Sequence, residues 1–172
     1  MDSFRVLLVD SNPENVMVAR INNLEAITAN ILSEDIINEL NLQGIGKLFA
    51  VTANDEVNAL AALHFEDIFG RSEVYQLPYK KNELAENQSI SRHLRGRRLF
   101  GKDMTFEKIT DLLKSPAEIK FLEFNTDEDL QFVSIERMIP LILIDMQNNL
   151  TIYTDEQNPK PAVGMRLIYQ YT

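Results

Sequence analysis

Phe49-Ala50-Val51-Thr52-Ala53-Asn54-Asp55-Glu56-Val57-Asn58 decides how this chain folds, because in it a short apolar strand runs straight into the start of a helix. Asn54 is the pivot, with a side-chain oxygen suited to accept from the orphan N–H groups of a first helical turn. Asp55 and Glu56 add negative charge beside the positive end of the helix dipole, and Val57, Leu60, Ala61, His64 and Phe65 recur at helical spacing. Gly70 ends the helix. A strand whose carboxyl end turns into a helix N-terminus faces the crevice where open parallel sheets meet their ligands.

The pattern repeats upstream. Arg5-Val6-Leu7-Leu8-Val9 is a continuous aliphatic run of the kind found in strands covered on both faces. It ends at Asp10, and Asn12 and Pro13 follow as N-cap and first residue of a helix reaching about Asn22, with Val16, Ala19 and Arg20 along it. Ala26-Ile27-Thr28-Ala29 is a second strand with Asn30 at its end. Ser33, Glu34 and Asp35 then cap a helix carrying Ile36, Ile37 and Leu40, and Leu42 to Gly46 turns back. Downstream, Glu73-Val74-Tyr75-Gln76-Leu77 supplies a fourth strand. Strands alternating with helices in this way describe right-handed βαβ crossovers and a parallel sheet.

A complete dinucleotide-binding sheet begins with one further strand and a glycine-rich turn under the pyrophosphate. No Gly-x-Gly-x-x-Gly occurs here, and Gly44-Ile45-Gly46 precedes a strand instead of joining strand to helix. The expected fold is therefore α/β: a Rossmann-like parallel sheet lacking its first βα unit, followed by a small α+β subdomain. The expected division is residues 1–77 for the partial Rossmann-like domain, 78–103 for a basic connector, and 104–172 for the accessory domain.

Charge supports that division. Of the 172 residues, 45% are hydrophobic and 25% charged, enough for a real core, and the net charge is −9. Residues 1–77 hold 12 acidic against 4 basic side chains, 78–102 hold 2 against 7, and 103–172 hold 12 against 6. The acidic balance opposes nucleic-acid binding, which depends on neutralising phosphates. Zero cysteines exclude disulfides, thiolate metal sites and a cysteine nucleophile. No apolar run spans a bilayer and the first residues lack a signal-peptide layout, so a soluble, cytoplasmic chain is expected.

Pro78 to Leu94 is polar and turn-rich, and Arg92-His93-Leu94-Arg95-Gly96-Arg97-Arg98 follows. It reads either as a solvated loop whose arginines pair with the flanking acidic blocks, or as a contact for anionic head groups or phosphate. Beyond it, Thr105 caps a helix with Phe106, Ile109, Leu112 and Leu113. Ala117 to Phe124 alternates like a half-buried strand, and Thr126 to Asp129 can start a short helix. Ile139–Ile144 and Leu150–Tyr153 flank Asp145-Met146-Gln147-Asn148-Asn149 as a hairpin, and Pro161 and Gly164 lead to a last strand, Arg166–Tyr171. Mostly antiparallel strands with a helix make a small α+β unit.

The candidate site residues stand at strand ends. Asp10 is placed where an acid hydrogen-bonds the ribose hydroxyls of a bound adenosine, or is simply a surface acid at a turn. Asn12 is explained as a cap, with a ligand contact additional. Thr52, Asn54 and Asp55 sit at the carboxyl end of the third strand, where helix capping competes with ligand contact. Asn58, one turn on, supports either the cap or a neighbouring loop. His64 lies on the helix stripe and His93 among arginines, no metal-ligand spacing appears, and no serine sits in a nucleophile elbow. Catalysis is not expected.

The residues Asn54 to Leu63, Phe69-Gly70-Arg71 and Val74-Tyr75-Gln76-Leu77, together with Val6 to Asn15, resemble regulator-of-K+-conductance (RCK), or TrkA-N, domains. They are most similar to the cytoplasmic C-terminal region of bacterial sodium/proton antiporters. Arg95 to Asp103 and Pro159 to Ile168 follow the same pattern more loosely. The resemblance implies a regulatory domain at the inner face of the cell membrane, joined to a transmembrane cation-transporter region, probing NAD(H) or another adenine nucleotide, and associating as a homodimer. It implies that Asn30 stands where related domains carry Gly-Asp-Ala at the adenine pocket, although Thr28-Ala29-Asn30-Ile31 departs from that pattern. It also makes Arg5–Val9 the second strand, so that the missing first strand belongs between it and the strand at 47–51. Either those two strands pair directly, or another chain fills the gap, or the residues are a piece of a longer chain whose membrane region and glycine loop lie upstream; the last is the favoured expectation. The alternatives are a non-binding structural or dimerisation module, and a fragment of an NAD-dependent enzyme with His64 facing the crevice.

Overall fold

The computed structural model describes residues 4–79, 96–114, 119–134 and 138–171. Arg92, His93 and Arg95 lie outside the described residues, and with them most of the basic connector.

The first half is built of strand–helix units: β1 (Leu7–Asp10), α1 (Pro13–Ile21), β2 (Glu25–Thr28), α2 (Ile36–Glu39), β3 (Leu48–Ala50), α3 (Asp55–Phe69) and β4 (Val74–Gln76). The caps are where local chemistry puts them. Asn12 accepts from the Glu14 N–H, Asn54 accepts from those of Glu56 and Val57, and Gly70 closes α3 at φ 79°. β1 pairs β2 and β3 pairs β4, both parallel, as expected of a Rossmann-like α/β half.

Two features differ from the sequence reading. The helix expected from Ser33 onward is one turn, because Leu40 is already extended at ψ 130° and the Asp35 side chain makes no cap bond. The buried face of α3 is also rotated: Asn58, Ala59, Ala61, Ala62 and Phe65 are inside, whereas Leu60 is exposed. Small residues let α3 press on the sheet, and an added Cβ at Gly96 would stand 3.1 Å from that of Ala62. Phe65 anchors the contact with Ile36 and Leu40, burial worth roughly 2–3 kcal/mol for such a side chain.

The second half begins with a strand that the connector reading did not foresee. β5 (Arg97–Arg98) pairs parallel with β4, so these two arginines are sheet residues and not loop. Arg97 lies 5.4 Å from the Tyr75 ring centroid, and Arg98 pairs with the almost fully buried Asp155, as the acidic-block reading anticipated. Leu99 then bridges to Thr154, and Tyr75, Leu77, Leu99 and Ile152 form one buried cluster joining both halves.

α4 (Phe106–Lys114) starts at Thr105, whose hydroxyl accepts from the Lys108 N–H. The strands β6 (Ile119–Glu123), β7 (Met138–Ile144), β8 (Leu150–Ile152) and β9 (Arg166–Tyr171) form an antiparallel sheet in the order β6-β9-β7-β8. The hairpin turn is held by Asp145, which accepts from the Gln147 and Asn149 backbones and the Asn149 side chain. β6 departs from the expected half-buried alternation: it is an edge strand, with Ile119 and Phe121 exposed.

Candidate functional site

The parallel strands do not form one continuous sheet. β1-β2 is one sheet and β3-β4-β5 another, so β1 and β3 do not pair, and between them lies a cavity of about 930 Å³. Arg5, ahead of β1, donates to the Gln43 carbonyl in the turn that leads to β3. The order of strand addition changes here: β1-α1-β2 builds away from the cavity through β2, and β3-α3-β4 builds away from it through β4. This is the topological switch point, where parallel sheets leave a crevice beyond their carboxyl ends.

Asp10 follows Val9, which lines that cavity, but Asp10 itself is not among the lining residues; of Asp10, Asn12, Asn30, Thr52, Asn54 and Asp55, Thr52 alone is. One carboxylate oxygen accepts from the Asn12 N–H at 2.8 Å and the other from the Asn15 side chain at 2.7 Å. Two acceptor sites remain on a carboxylate so held, enough for a pair of hydroxyls. Asn12 spends its oxygen on the Glu14 N–H, and Asn30, beyond the end of β2, on the Leu32 N–H at 3.0 Å. Asp10, Asn12 and Asn30 share one rim, since the Ala29 N–H donates to the Asp10 carbonyl.

Thr52, Asn54 and Asp55 stand at the carboxyl end of β3. Asn58 organises them from full burial: it accepts from the Thr52 N–H at 2.9 Å and hydroxyl at 2.8 Å, and donates to the Thr52 carbonyl at 2.9 Å. Of its two roles left open by the sequence, Asn58 therefore takes the loop. The Asn54 N–H donates to the Thr52 hydroxyl at 3.1 Å while its side chain caps α3. Residues that sequence reasoning did not select also shape this place: Asn15 braces Asp10, and Val57, Ala61 and Phe65 line the cavity. The signal for Asn15 was its position one turn into α1; the lining had no signal beyond helical spacing.

The electrostatics favour hydroxyls over phosphate. Both helix N-termini already carry acids in their first turns, Glu14 in α1 and Asp55 with Glu56 in α3. These offset the dipole that would otherwise draw an anion. Among the described residues, no group of three or more His, Asp or Glu side chains is arranged to hold a metal ion, and no helix is long and apolar enough to cross a membrane.

Parallel pairs joined by helices around a switch-point crevice define a Rossmann-like architecture. Residues 2–85 match the family model of the TrkA-N domain, and they form a TrkA-N-type domain. The match supports a regulatory domain of an ion-transport system. No curated protein sequence matches the chain significantly. Among solved structures, the crystal structure of the GsuK RCK domain aligns with 96% of this chain and 43% of its own at 9% identity and TM-score 0.34. The chain thus spans less than half the length of that structure, and so distant a likeness adds nothing to the topology itself.

Proposed function

We propose that this chain is a cytoplasmic regulatory domain of a monovalent-cation transporter of the sodium/proton antiporter kind, working as a dimer and sensing an adenine nucleotide. Its parts are the Rossmann-like residues 1–77, the connector 78–103 and the accessory unit 104–172. The observation that carries the reading is Asp10, a carboxylate at the carboxyl end of β1 that is braced by Asn12 and Asn15 and has acceptor capacity to spare. Asp10 takes the ribose hydroxyls, Asn12 and Asn30 flank the base, and Thr52, Asn54 and Asp55 form the opposite rim. No bond is made or broken; ligand acts by favouring one arrangement of the transporter over another, and the size of the effect is its differential affinity for the two.

A thermal-shift scan with NAD, NADH, ATP, ADP and AMP tests this, repeated with Asp10→Asn, which keeps an acceptor for the Asn12 N–H. Ligand at about 100 times its dissociation constant adds about 2.7 kcal/mol, a rise of several degrees. The rise is expected for at least one nucleotide and is lost in Asp10→Asn. No rise with any of them assigns the chain to the other reading, a structural or dimerisation module, which the capped and acidic helix starts favour.

A further inference from the structure

We infer that Phe100 and Gly101 form a strained hinge at which the antiparallel half of the fold swings away from β5 and redocks while both halves stay folded. This inference does not rest on nucleotide binding.

Three observations converge on it. Directly after β5, Phe100 is held at φ 58° and Gly101 at φ 104°. The other described non-glycine residues with positive φ are Asn23 and Asn148, whose short amides suit that conformation, whereas a phenylalanine adopts it only under constraint. The constraint is the docked half itself: the Phe100 N–H donates to the Tyr153 carbonyl at 2.8 Å, and the Phe100 side chain packs on the cluster of Tyr75, Leu77, Leu99 and Ile152. Second, β5 is tied to the two halves unequally. On the β4 side it has the Tyr75–Arg97 and Gln76–Arg98 pairs, flanked by the Leu99 N–H on the Gln76 carbonyl and the Gly96 N–H on the Gln76 side chain, both at 2.9 Å. On the other side the Asp155 N–H reaches the Arg98 carbonyl at 3.3 Å, beside the Phe100 bond. Third, much of that second contact is polar and open to water: Arg97 donates to the side chains of Thr154 and Gln157, and Arg98, 36% exposed, pairs with Asp155.

The balance of these contacts makes the joint two-state. Docking keeps Phe100 in a conformation that release relaxes, and release returns Arg97, Arg98 and Asp155 to water, so their contacts are exchanged and not simply lost. Apolar burial opposes both, since release parts Ile152 from Tyr75 and Leu99. Neither half needs the joint for its own ladder: β4 keeps β3, and β7 keeps β8 and β9. One or two residues at the end of an element are enough to absorb the backbone rotation of such a motion. A ligand of either half that prefers one arrangement then shifts the other half through this joint.

The test is amide hydrogen exchange of the whole chain, followed residue by residue in urea below the unfolding transition. The N–H groups of Phe100 and Asp155 cross the joint, whereas Leu77, bonded to Ala50, and Tyr153, bonded to Leu141, report on the two halves. After correction for intrinsic rates, Phe100 and Asp155 are expected to exchange at least about tenfold faster than Leu77 and Tyr153, and to share one urea dependence, smaller than that of Leu77 and Tyr153, because release exposes the cluster. Gly101→Ala adds a Cβ that meets no atom within 4 Å, so it raises backbone strain alone. It is expected to speed Phe100 and Asp155 by about fivefold. Asn58→Ala weakens the first half in the docked and released states alike, and is expected to speed Leu77 while leaving Phe100 and Asp155 unchanged. Protection and urea dependence equal to those of Leu77 and Tyr153 would make the chain one rigid unit and overturn the proposal. Exchange of Phe100 and Asp155 without urea dependence, which is fraying, overturns it too, as does no effect of Gly101→Ala or acceleration of all four amides by Asn58→Ala.

Discussion

Asn58 and Thr52 form a closed three-bond clamp, in which one fully buried amide side chain satisfies both the backbone N–H and the backbone carbonyl of a residue two positions beyond the third strand. The side chain does for Thr52 what a neighbouring strand does elsewhere in a sheet. It also holds the rim of the crevice at a fixed distance from α3.

Removing that clamp takes a buried side chain and three hydrogen bonds from the strand end. Asn58→Ala is expected to destabilise the fold by about 1–2 kcal/mol, since Thr52 is exposed and water can replace part of what its backbone loses. Asn58→Asp loses the donor to the Thr52 carbonyl while keeping the acceptor, and should cost as much or more because it buries a charge. Urea denaturation gives both numbers; a loss under about 0.5 kcal/mol for Asn58→Ala would show that the clamp is not structural.

Gly164 precedes the last strand at φ 90°, and an added Cβ would stand 2.7 Å from the Met146 sulfur. Gly164→Ala should therefore cost about 1–3 kcal/mol, from backbone strain and from the clash together. In Gly164→Ala with Met146→Ala the clash is absent and the strain remains, so the double variant is expected to cost less than the two single losses added. Additive losses would place the whole penalty in the backbone.

Acid should loosen the second half through two aspartates. Asp145 is held below the usual carboxylate range by the Asn149 side chain, the Asn149 N–H and the Gln147 N–H, and Asp129 by the backbone and hydroxyl of Thr126 with the Asn125 N–H. A carboxylate depressed in the folded state contributes stability that is fully present above its unfolded value, about 3.9, and lost as pH falls through the folded one. Asp145→Asn and Asp129→Asn should each flatten the decline of stability below about pH 4. A decline identical to that of the parent chain in both variants would contradict the assignment.

The junction between the halves is tested at Arg98 and Asp155. The Asp155 side chain is 3% exposed and faces Arg98, which is 36% exposed. Arg98→Ala leaves a buried carboxylate without its cation and is expected to cost about 2–4 kcal/mol, whereas replacing both residues by apolar ones should cost less than Arg98→Ala alone. A double-mutant cycle reads the coupling; none measurable would mean that the apolar cluster of Tyr75, Leu77, Leu99 and Ile152 joins the halves by itself.

The parts of this fold legible in the sequence are those fixed by local chemistry. Asn12 and Asn54 cap, Gly70 terminates and the Asp145 turn closes a hairpin because each needs only its immediate neighbours. The parts that were not legible depend on distant contacts. β5 is two arginines, with no alternation to mark it, and exists because β4 offers an edge. The inner face of α3 is alanine-rich because Gly96 and the sheet come close, so the larger Leu60 is turned outward. β6 has the alternation of a covered strand and lies at an edge, since nothing in its own residues says where in the sheet it falls. For the site, strand ends could be located, but not that Asp10 is braced by Asn15 or that Asn58 reaches back to Thr52.

The most direct measurement is an amide chemical-shift map of the isotope-labelled chain titrated separately with NAD and with ATP. The account predicts saturable shifts at Asp10, Asn12, Asn30, Thr52, Asn54 and Asp55, absent for the same nucleotide in Asp10→Asn. Saturable shifts confined to residues 104–172, or none with either nucleotide, would contradict it.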